Sequence, residues 1–449
     1  MRKILLLAFS AFLLSATISR AQVWIEQNSN FSTPSEGVLD ISAVDDNTAW
    51  ILGYDGTGAG ANFIDYALST DGGNNFVPGT VGTDTTYRFS NITAVSATTA
   101  WVAMFNNVAG LGGGIWQTTD GGASWLQQGV GLIYDANSFP DVVHFWNAND
   151  GVTIGDPNNG YFEIYTTTDG GSNWNRVLQA NIPANLAGEA GITNWYDTYG
   201  DNIWFYTSKG RVYHSADKGY NWTVSQVVSL TTAQGMTVKF LDANYGIAQI
   251  YVLMTGAFSS AKKTTDGGAT WTAFTPSGNF WTSDLVAVPN SGIYVSSGAA
   301  TGLIGTSFSE DSGMTWIDIE MGTVQYTALG ASSFNGLWAG NFSGGFQSGG
   351  IFKWDGTPMG IMDNSVDLKT YNVYPNPSEG LVTLNFKTKS NAVNVQVVNT
   401  MGEVVFSQDY AGVSKIFRRT FDFSNLSKGI YSLVLTSGNE LTQEKIVIQ

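Results

Sequence analysis

The chain has 449 residues, no cysteine, 20 Lys/Arg against 36 Asp/Glu and a net charge of −16. The missing cysteines exclude a disulfide framework and any thiolate metal site, and so acidic a field excludes nucleic acid as a partner. The charge is uneven: residues 23–360 hold 9 Lys/Arg against 28 Asp/Glu and all 15 Trp, whereas residues 361–449 hold 8 against 8 and no Trp, so a boundary is expected near Pro358 to Thr370.

At the start, Arg2 and Lys3 precede an apolar run from Ile4 to Leu14 and the small-x-small triplet Ser19-Arg20-Ala21. This pattern predicts a secretory signal peptide over 1–21, with Gln22 first in the mature chain. The run is too short to span a membrane. The acidic surplus of an exported protein is expected to keep it soluble.

Next comes VWIEQ (23–27), a strand with no partner beside it in sequence. A phrase of two apolar strands around a polar turn then recurs seven times, beginning DISAVDDNTAWILG at 40–53 and NITAVSATTAWVAM at 91–104. Between these runs stands a second phrase, Ser/Thr-x-Asp-x-Gly-x-x-Trp. Its Asp residues are 71, 120, 169, 217, 266 and 311, spaced by 49, 49, 48, 49 and 45. The near-constant period predicts stacked supersecondary units. Each unit reads as strand a, turn, strand b, loop, strand c, Asp phrase, strand d. The last unit has a strand c in GGIFKWDG (349–356) but nothing after it, while VWIEQ is a strand d with nothing before it. Pairing the two predicts a ring closed without a covalent link, which hides its sheet edges. The expected fold is all-β: a seven-bladed β-propeller over 22–360, a linker at 361–370 and a small Ig-like antiparallel β-sandwich over 371–449.

The Asp phrase is read as structural. Gly fills the positions where a calcium loop needs oxygen ligands, and one active site has no use for six catalytic acids. Asp71, Asp120, Asp169, Asp217, Asp266 and Asp311 are each expected to accept backbone N–H bonds within their own turn. Trp125, Trp174, Trp222, Trp271 and Trp316, with Phe76 in the remaining copy, are expected to cover apolar surface between blades. On these residues the repeat resembles the Asp-box (BNR) repeat of sialidases, sortilin-type receptors and photosystem II assembly factors of the Ycf48 type. In those families the box is structural and lies at the blade periphery.

That resemblance raises the question of a sialidase, whose site holds three arginines. The propeller has only Arg88, Arg176 and Arg211. Arg176 falls in an outer strand d and Arg211 begins a strand c, so an arginine triad is not expected. His144 and His214, the only two histidines, do not make a metal site, and no cofactor or metal is expected. Loops b–c and d–a share one face of the ring, and the boxes lie on the other. On the first face IGDPNNGYF (154–162) and LAGEAGI (186–192) should be neighbours, which makes Asp156 and Glu189 the candidate catalytic carboxylates. Asn158, Lys209 and Arg211 are candidate ligand contacts beside them. The stretch GDPNNGYFEIYTTTDGGSNW, with GEAG and SKGRVYHSADKGYNW, resembles a Ycf48-like subgroup of secreted Bacteroidetes propellers, which assigns no chemistry. Trp281 and Tyr87 in d–a loops are candidates for stacking on sugar rings, with core packing the alternative, and NFSGGFQSGG (341–350), without the GKS/T ending of a phosphate loop, reads as a rim loop.

The tail carries Tyr374-Pro375-Asn376-Pro377, Met401-Gly402-Glu403-Val404-Val405, Leu426-Ser427-Lys428-Gly429-Ile430-Tyr431 and Lys445-Ile446-Val447-Ile448. In order and spacing these resemble the type A C-terminal sorting domain of the Bacteroidetes type IX secretion system. The resemblance implies Sec export, passage through the outer-membrane translocon by way of residues 371–449, and release or attachment at the surface. The expectation is a secreted or cell-surface monomer that binds glycan or protein without catalysis. The alternative is an extracellular glycoside hydrolase that uses carboxylates at the propeller mouth.

Overall fold

Short apolar runs broken by Gly, Asn and Asp turns give antiparallel hairpins throughout. The structure, a computed structural model, describes residues 24–108, 112–322, 324–355, 372–387, 392–400, 402–411, 416–437 and 440–449. The expected signal peptide, 1–21, and the expected linker, 361–370, lie outside the described residues. The chain divides into two compact units, Met1–Gly356 and Thr357–Gln449.

The first unit contains five four-stranded sheets, each built from consecutive strands in chain order. One comprises Tyr87–Ala94, Ala100–Asn106, Gly113–Thr118 and Leu126–Gln128. The next holds Pro140–Phe145, Gly151–Asn158, Tyr161–Thr167 and Asn175–Arg176, followed by Tyr196–Tyr199, Asn202–Tyr206, Arg211–Ser215 and Thr223–Gln226. Then come Gln234–Phe240, Gly246–Val252, Phe258–Thr264 and Thr272–Phe274, and finally Asp284–Val288, Ile293–Ala300, Leu303–Ser309 and Ile317–Met321. A sixth, eight-stranded sheet consists of two such sets. One is Glu36–Ala43, Ala49–Asp55, Asp65–Ser69 and Val77–Thr80; the other is Ala328–Ala331, Leu337–Gly345, Ser348–Trp354 and the N-terminal strand Trp24–Asn28. A single pairing, Gly37 with Phe342, joins the sets. Trp24–Asn28 runs antiparallel to Ser348–Trp354 with Trp24 opposite Trp354.

Neighbouring sheets share apolar clusters, and the box aromatic of each sheet sits in the seam with the preceding one. Trp174 packs with Trp101 and Phe145, Trp222 with Phe162 and Phe205, Trp316 with Ile247 and Phe280, and Phe76 with Trp338. The copy without a box has its seam aromatic in Trp24, which is fully buried. Its indole donates to Thr306 Oγ1 at 3.0 Å and packs on Tyr326 and Trp354.

The second unit is a β-sandwich. Asn372–Tyr374, Leu381–Lys387 and Ile416–Asp422 form one sheet. The other consists of Val404–Ala411, Ala392–Val398, Gly429–Ser437 and Glu440–Ile448. Alternate residues such as Val382 and Leu384 on one side, and Val395, Leu433 and Ile446 on the other, make its core. The architecture is therefore all-β, with propeller-like four-stranded blades followed by a sandwich.

Candidate functional site

The box is the most repeated geometry. In TTDGGASW, Asp120 Oδ1 accepts the Ser124 N–H at 2.9 Å and the Thr118 hydroxyl at 2.8 Å, and that hydroxyl accepts the Gly122 N–H at 2.9 Å. The same three bonds recur around Asp71, Asp169, Asp217, Asp266 and Asp311. The Gly two positions after the Asp has a φ near +90° in every copy, as at Gly122 (+89°), a conformation that side-chain-bearing residues avoid. Box carbonyls also receive side chains from the preceding sheet: Trp101 donates to Gly170 O, Trp204 to Gly267 O and Tyr66 to Gly122 O. The carboxylates are thus engaged in turn closure, and the turns tie adjacent sheets together.

The first strands of the sets line a cavity of about 430 Å³ that includes Asp40, Asp197, Lys239 and Asp284. These acids are tied to neighbouring strands. Asp40 accepts Ile92 N–H at 2.9 Å, Asp197 accepts Phe240 N–H at 2.6 Å, and Asp284 accepts Leu329 N–H at 2.7 Å. Asn91 makes the equivalent bond to Val143 N–H. Lys239 Nζ lies 3.7 Å from Asp197 and donates to Tyr196 O. Burial raises all three acids, Asp284 to about 6 despite Lys239. The sequence signal was a charged or amide residue in several of the innermost strands, as at Asp40, Asn91, Asp197 and Asp284.

On the face formed by the b–c and d–a loops, Glu189 is buried, and its partners surround it. Arg211 reaches it with Nε at 2.9 Å and Nη2 at 2.5 Å, the Thr207 hydroxyl donates at 2.6 Å and the Leu186 N–H at 2.8 Å. Burial would raise this carboxyl, but Arg211, Thr207 and Leu186 outweigh it and hold it below its ordinary value. Arg211 also donates to Ala184 O and Tyr213 Oη. Asp156 meets the same loop at a different point, accepting the Gly191 N–H at 2.7 Å. Burial raises it to about 6. Asp141, unnoticed in the sequence, is buried nearby, with Oδ2 unpartnered, and is raised well above the carboxylate range by burial and by Asp156.

Asn158 belongs to another cluster. Its side-chain amide donates to Glu163 at 3.2 Å and to Ser138, and its backbone carbonyl accepts Arg176. Glu163 in turn accepts Ser138, Tyr165 and Arg176 at 2.6, 2.6 and 3.3 Å. Lys209 is half-buried, and its backbone is held by Thr207 Oγ1 and by Gln226. Asp65, Glu163 and Arg211 all stand six positions before a box Asp, a register that would have found these clusters. His144, held to about 3 by burial, packs against Trp146 and Tyr196. Trp281 and Tyr87 are half-buried, and Tyr87 packs edge-on against Trp116.

In the second unit two of the sorting motifs meet. The Asn376 amide donates to Lys445 O at 2.7 Å, and its Oδ1 accepts Val447 N–H at 2.9 Å. The PNP phrase is thereby pinned to the last strand. Residues 372–449 match the family model of the secretion system C-terminal sorting domain, and residues 103–283 match that of the photosynthesis system II assembly factor YCF48. The chain is a BNR/Ycf48-like propeller fused to a type IX sorting domain. Among relatives, the chloroplast photosystem II stability/assembly factor HCF136 of Arabidopsis thaliana is 26% identical over 170 residues, 37% of each chain. Its counterpart in Oryza sativa subsp. japonica is 26% identical over 173 residues, 37% of this chain and 36% of that one. The match thus spans little more than a third of the length of these curated relatives. A solved structure of YCF48 bound to D1 peptide shares the fold at TM-score 0.50 and 18% identity, covering 74% of this chain and 94% of that one. The Ycf48-like propeller is carried by a sorting domain that directs secretion to the cell surface or extracellular space.

Proposed function

We propose that this is a non-catalytic binding propeller that engages a polypeptide ligand through its b–c/d–a face after export. The observation that carries the reading is the state of Glu189. Its carboxylate already accepts Arg211, Thr207 and Leu186, which leaves it no lone pair for substrate. Glu163 is similarly engaged by Ser138, Tyr165 and Arg176. These bonds pin the loops of one face into a rigid surface, the arrangement that binding by a preformed surface requires. The solved YCF48 structure is bound to D1 peptide, which favours polypeptide over glycan here.

We further infer a ring of seven blades, closed by Trp24–Asn28 against Ser348–Trp354, with a signal peptide over 1–21, the propeller over 22–360, a linker over 361–370 and the sorting domain over 371–449. The pairing of Trp24 with Trp354 and the burial of Trp24 support the closure. The six boxes and the boxless last set support the count.

One observation favours the second reading, a glycoside hydrolase. Asp156, raised to about 6 by burial, has the character of a general acid, with Asp141 as a neighbouring carboxyl. Incubating the purified chain with arrayed peptides and with polysaccharide pools tests the two readings. Retention of peptides without release of reducing sugar is expected; sugar release abolished by Asp156→Asn would establish the hydrolase instead.

A further inference from the structure

Between the sheets 234–274 and 284–321, on the b–c/d–a face, lies a cleft of about 190 Å³ whose lining includes Phe258, Phe280, Trp281 and Leu303. Trp281 is held there by its backbone. Its N–H donates to Ser296 Oγ in one sheet, and its carbonyl accepts Gln249 Nε2 from the other. Its ring lies over two glycines, Gly298 and Gly305, that face each other across adjacent strands. A Cβ on either glycine would stand 3.0 Å from the indole. The glycines therefore clear a flat seat, and the indole is fixed before any ligand arrives.

The rest of the wall is apolar. Phe280 stacks on Trp316 at 4.1 Å and is buried, while Phe258 is 40% exposed at the cleft mouth. Leu253 and Met254, in the loop preceding Phe258, are 51% and 95% exposed. The polar groups of the cleft are engaged elsewhere: the Thr282 hydroxyl donates to Gly256 O and the Asn279 amide to Asp318. The Trp281 indole N–H is enclosed and without an acceptor. Such a cleft suits an apolar group. At about 190 Å³ it is smaller than the roughly 300–1,000 Å³ of sites that enclose a whole small ligand, so it fits one side chain. An apolar wall with its polar groups already used disfavours a sugar. The exposed carboxylate of Asp318, held beside the cleft by Asn279, and the net charge of −19 over residues 23–360 select positive charge on the partner.

We propose that this cleft docks one Leu, Met or Phe side chain of an extended polypeptide partner whose flanking residues are basic. The exposed Met254, two residues before the lining Gly256, offers a flexible thioether beside the cleft. The inference rests on the polypeptide-binding reading above and gives it a site and a sequence preference.

The test is fluorescence polarisation of labelled synthetic peptides titrated with the full chain. The peptides share a Gly-Ser background and differ at the centre: Lys-Leu-Lys, Lys-Ala-Lys or Glu-Leu-Glu. The Lys-Leu-Lys peptide should bind at least tenfold more tightly than either other. Phe258→Ser and Met254→Ser should each weaken it at least fivefold, and Asp318→Asn should flatten its salt dependence. Both apolar positions are substantially exposed, so these variants keep the fold even where Trp281→Ala does not. Equal binding of the Leu and Ala peptides, or full binding by Phe258→Ser and Met254→Ser, overturns the cleft as the site. If none of the three peptides binds but arrayed peptides of mixed sequence do, the cleft proposal fails and the broader reading stands; blank arrays overturn both. Oligosaccharide binding lost in Phe258→Ser would overturn the polypeptide in favour of glycan.

Discussion

Replacing Trp24 by Ala tests the closure of the ring at its most loaded side chain. Trp24 is fully buried, 5.8 Å from the Tyr326 ring and 5.3 Å from that of Trp354, and its indole supplies a bond to the buried Thr306 hydroxyl. Truncating a buried Trp costs about 3–5 kcal/mol, and the Thr306 hydroxyl loses its donor as well. Against a total stability of about 5–15 kcal/mol, that is a large fraction. Urea unfolding followed by tryptophan fluorescence measures it. With an m-value of about 3 kcal/mol/M, the midpoint should fall by roughly 1 M. Ile25→Ala, on the same strand but 46% exposed, is the control and should shift it little. If Trp24→Ala shifts the midpoint no more than Ile25→Ala, the N-terminal strand does not close the ring.

Gly122 and Gly121 both have positive φ, but a Cβ on Gly122 would stand 1.9 Å from Tyr66 Oη, whereas one on Gly121 meets nothing nearer than 3.6 Å. Gly122→Ala should therefore cost about 3 kcal/mol or more and Gly121→Ala about 1 kcal/mol, read from thermal midpoints. Glu189→Gln leaves the mostly buried Arg211 without its anion and should cost about 3–5 kcal/mol. As the Glu189 carboxyl is depressed in the fold, its stabilisation is present above its ordinary value and lost as pH falls through the folded one. Acid unfolding of wild type and variant should converge there. Glu36 has the opposite sign. Buried, with both oxygens unpartnered, it is raised from 4.5 to about 8 by burial and by Asp65. The folded chain holds its proton up to about pH 8 and the unfolded chain only to about 4.5, so stability falls as pH rises between these values. Glu36→Gln should remove that fall and stabilise the chain above about pH 8 by about 1–3 kcal/mol; an unchanged profile refutes the assignment.

The architecture was legible because it repeats. The box writes its hydrogen bonds into fixed positions, and period-2 runs around it declare strands. VWIEQ carried more than its lack of a neighbour: Trp24 occupies the seam that a box aromatic fills elsewhere. The site was legible only in outline. Strand order set the loops of Asp156 and Glu189 side by side, and Asp156 bonds Gly191 in the Glu189 loop. It could not show that the Arg211 guanidinium reaches back to satisfy Glu189, or that Asn158 turns instead to Glu163. Those outcomes depend on side-chain direction across a strand and on how a loop closes, which linear spacing does not encode. Trp281 was visible as an aromatic in a d–a loop, but its glycine seat needs the pairing of Gly298 with Gly305, a register that exists only once the hairpin has formed.

The central claim is that this exported propeller binds polypeptide and performs no hydrolysis. One preparation of the full chain, and its Asp156→Asn and Glu189→Gln variants, should be assayed in parallel for peptide-array retention and for reducing-sugar release from polysaccharide pools. The account predicts retention by wild type and Asp156→Asn alike, with no sugar released by any of them. Sugar release by wild type that either substitution abolishes would contradict it.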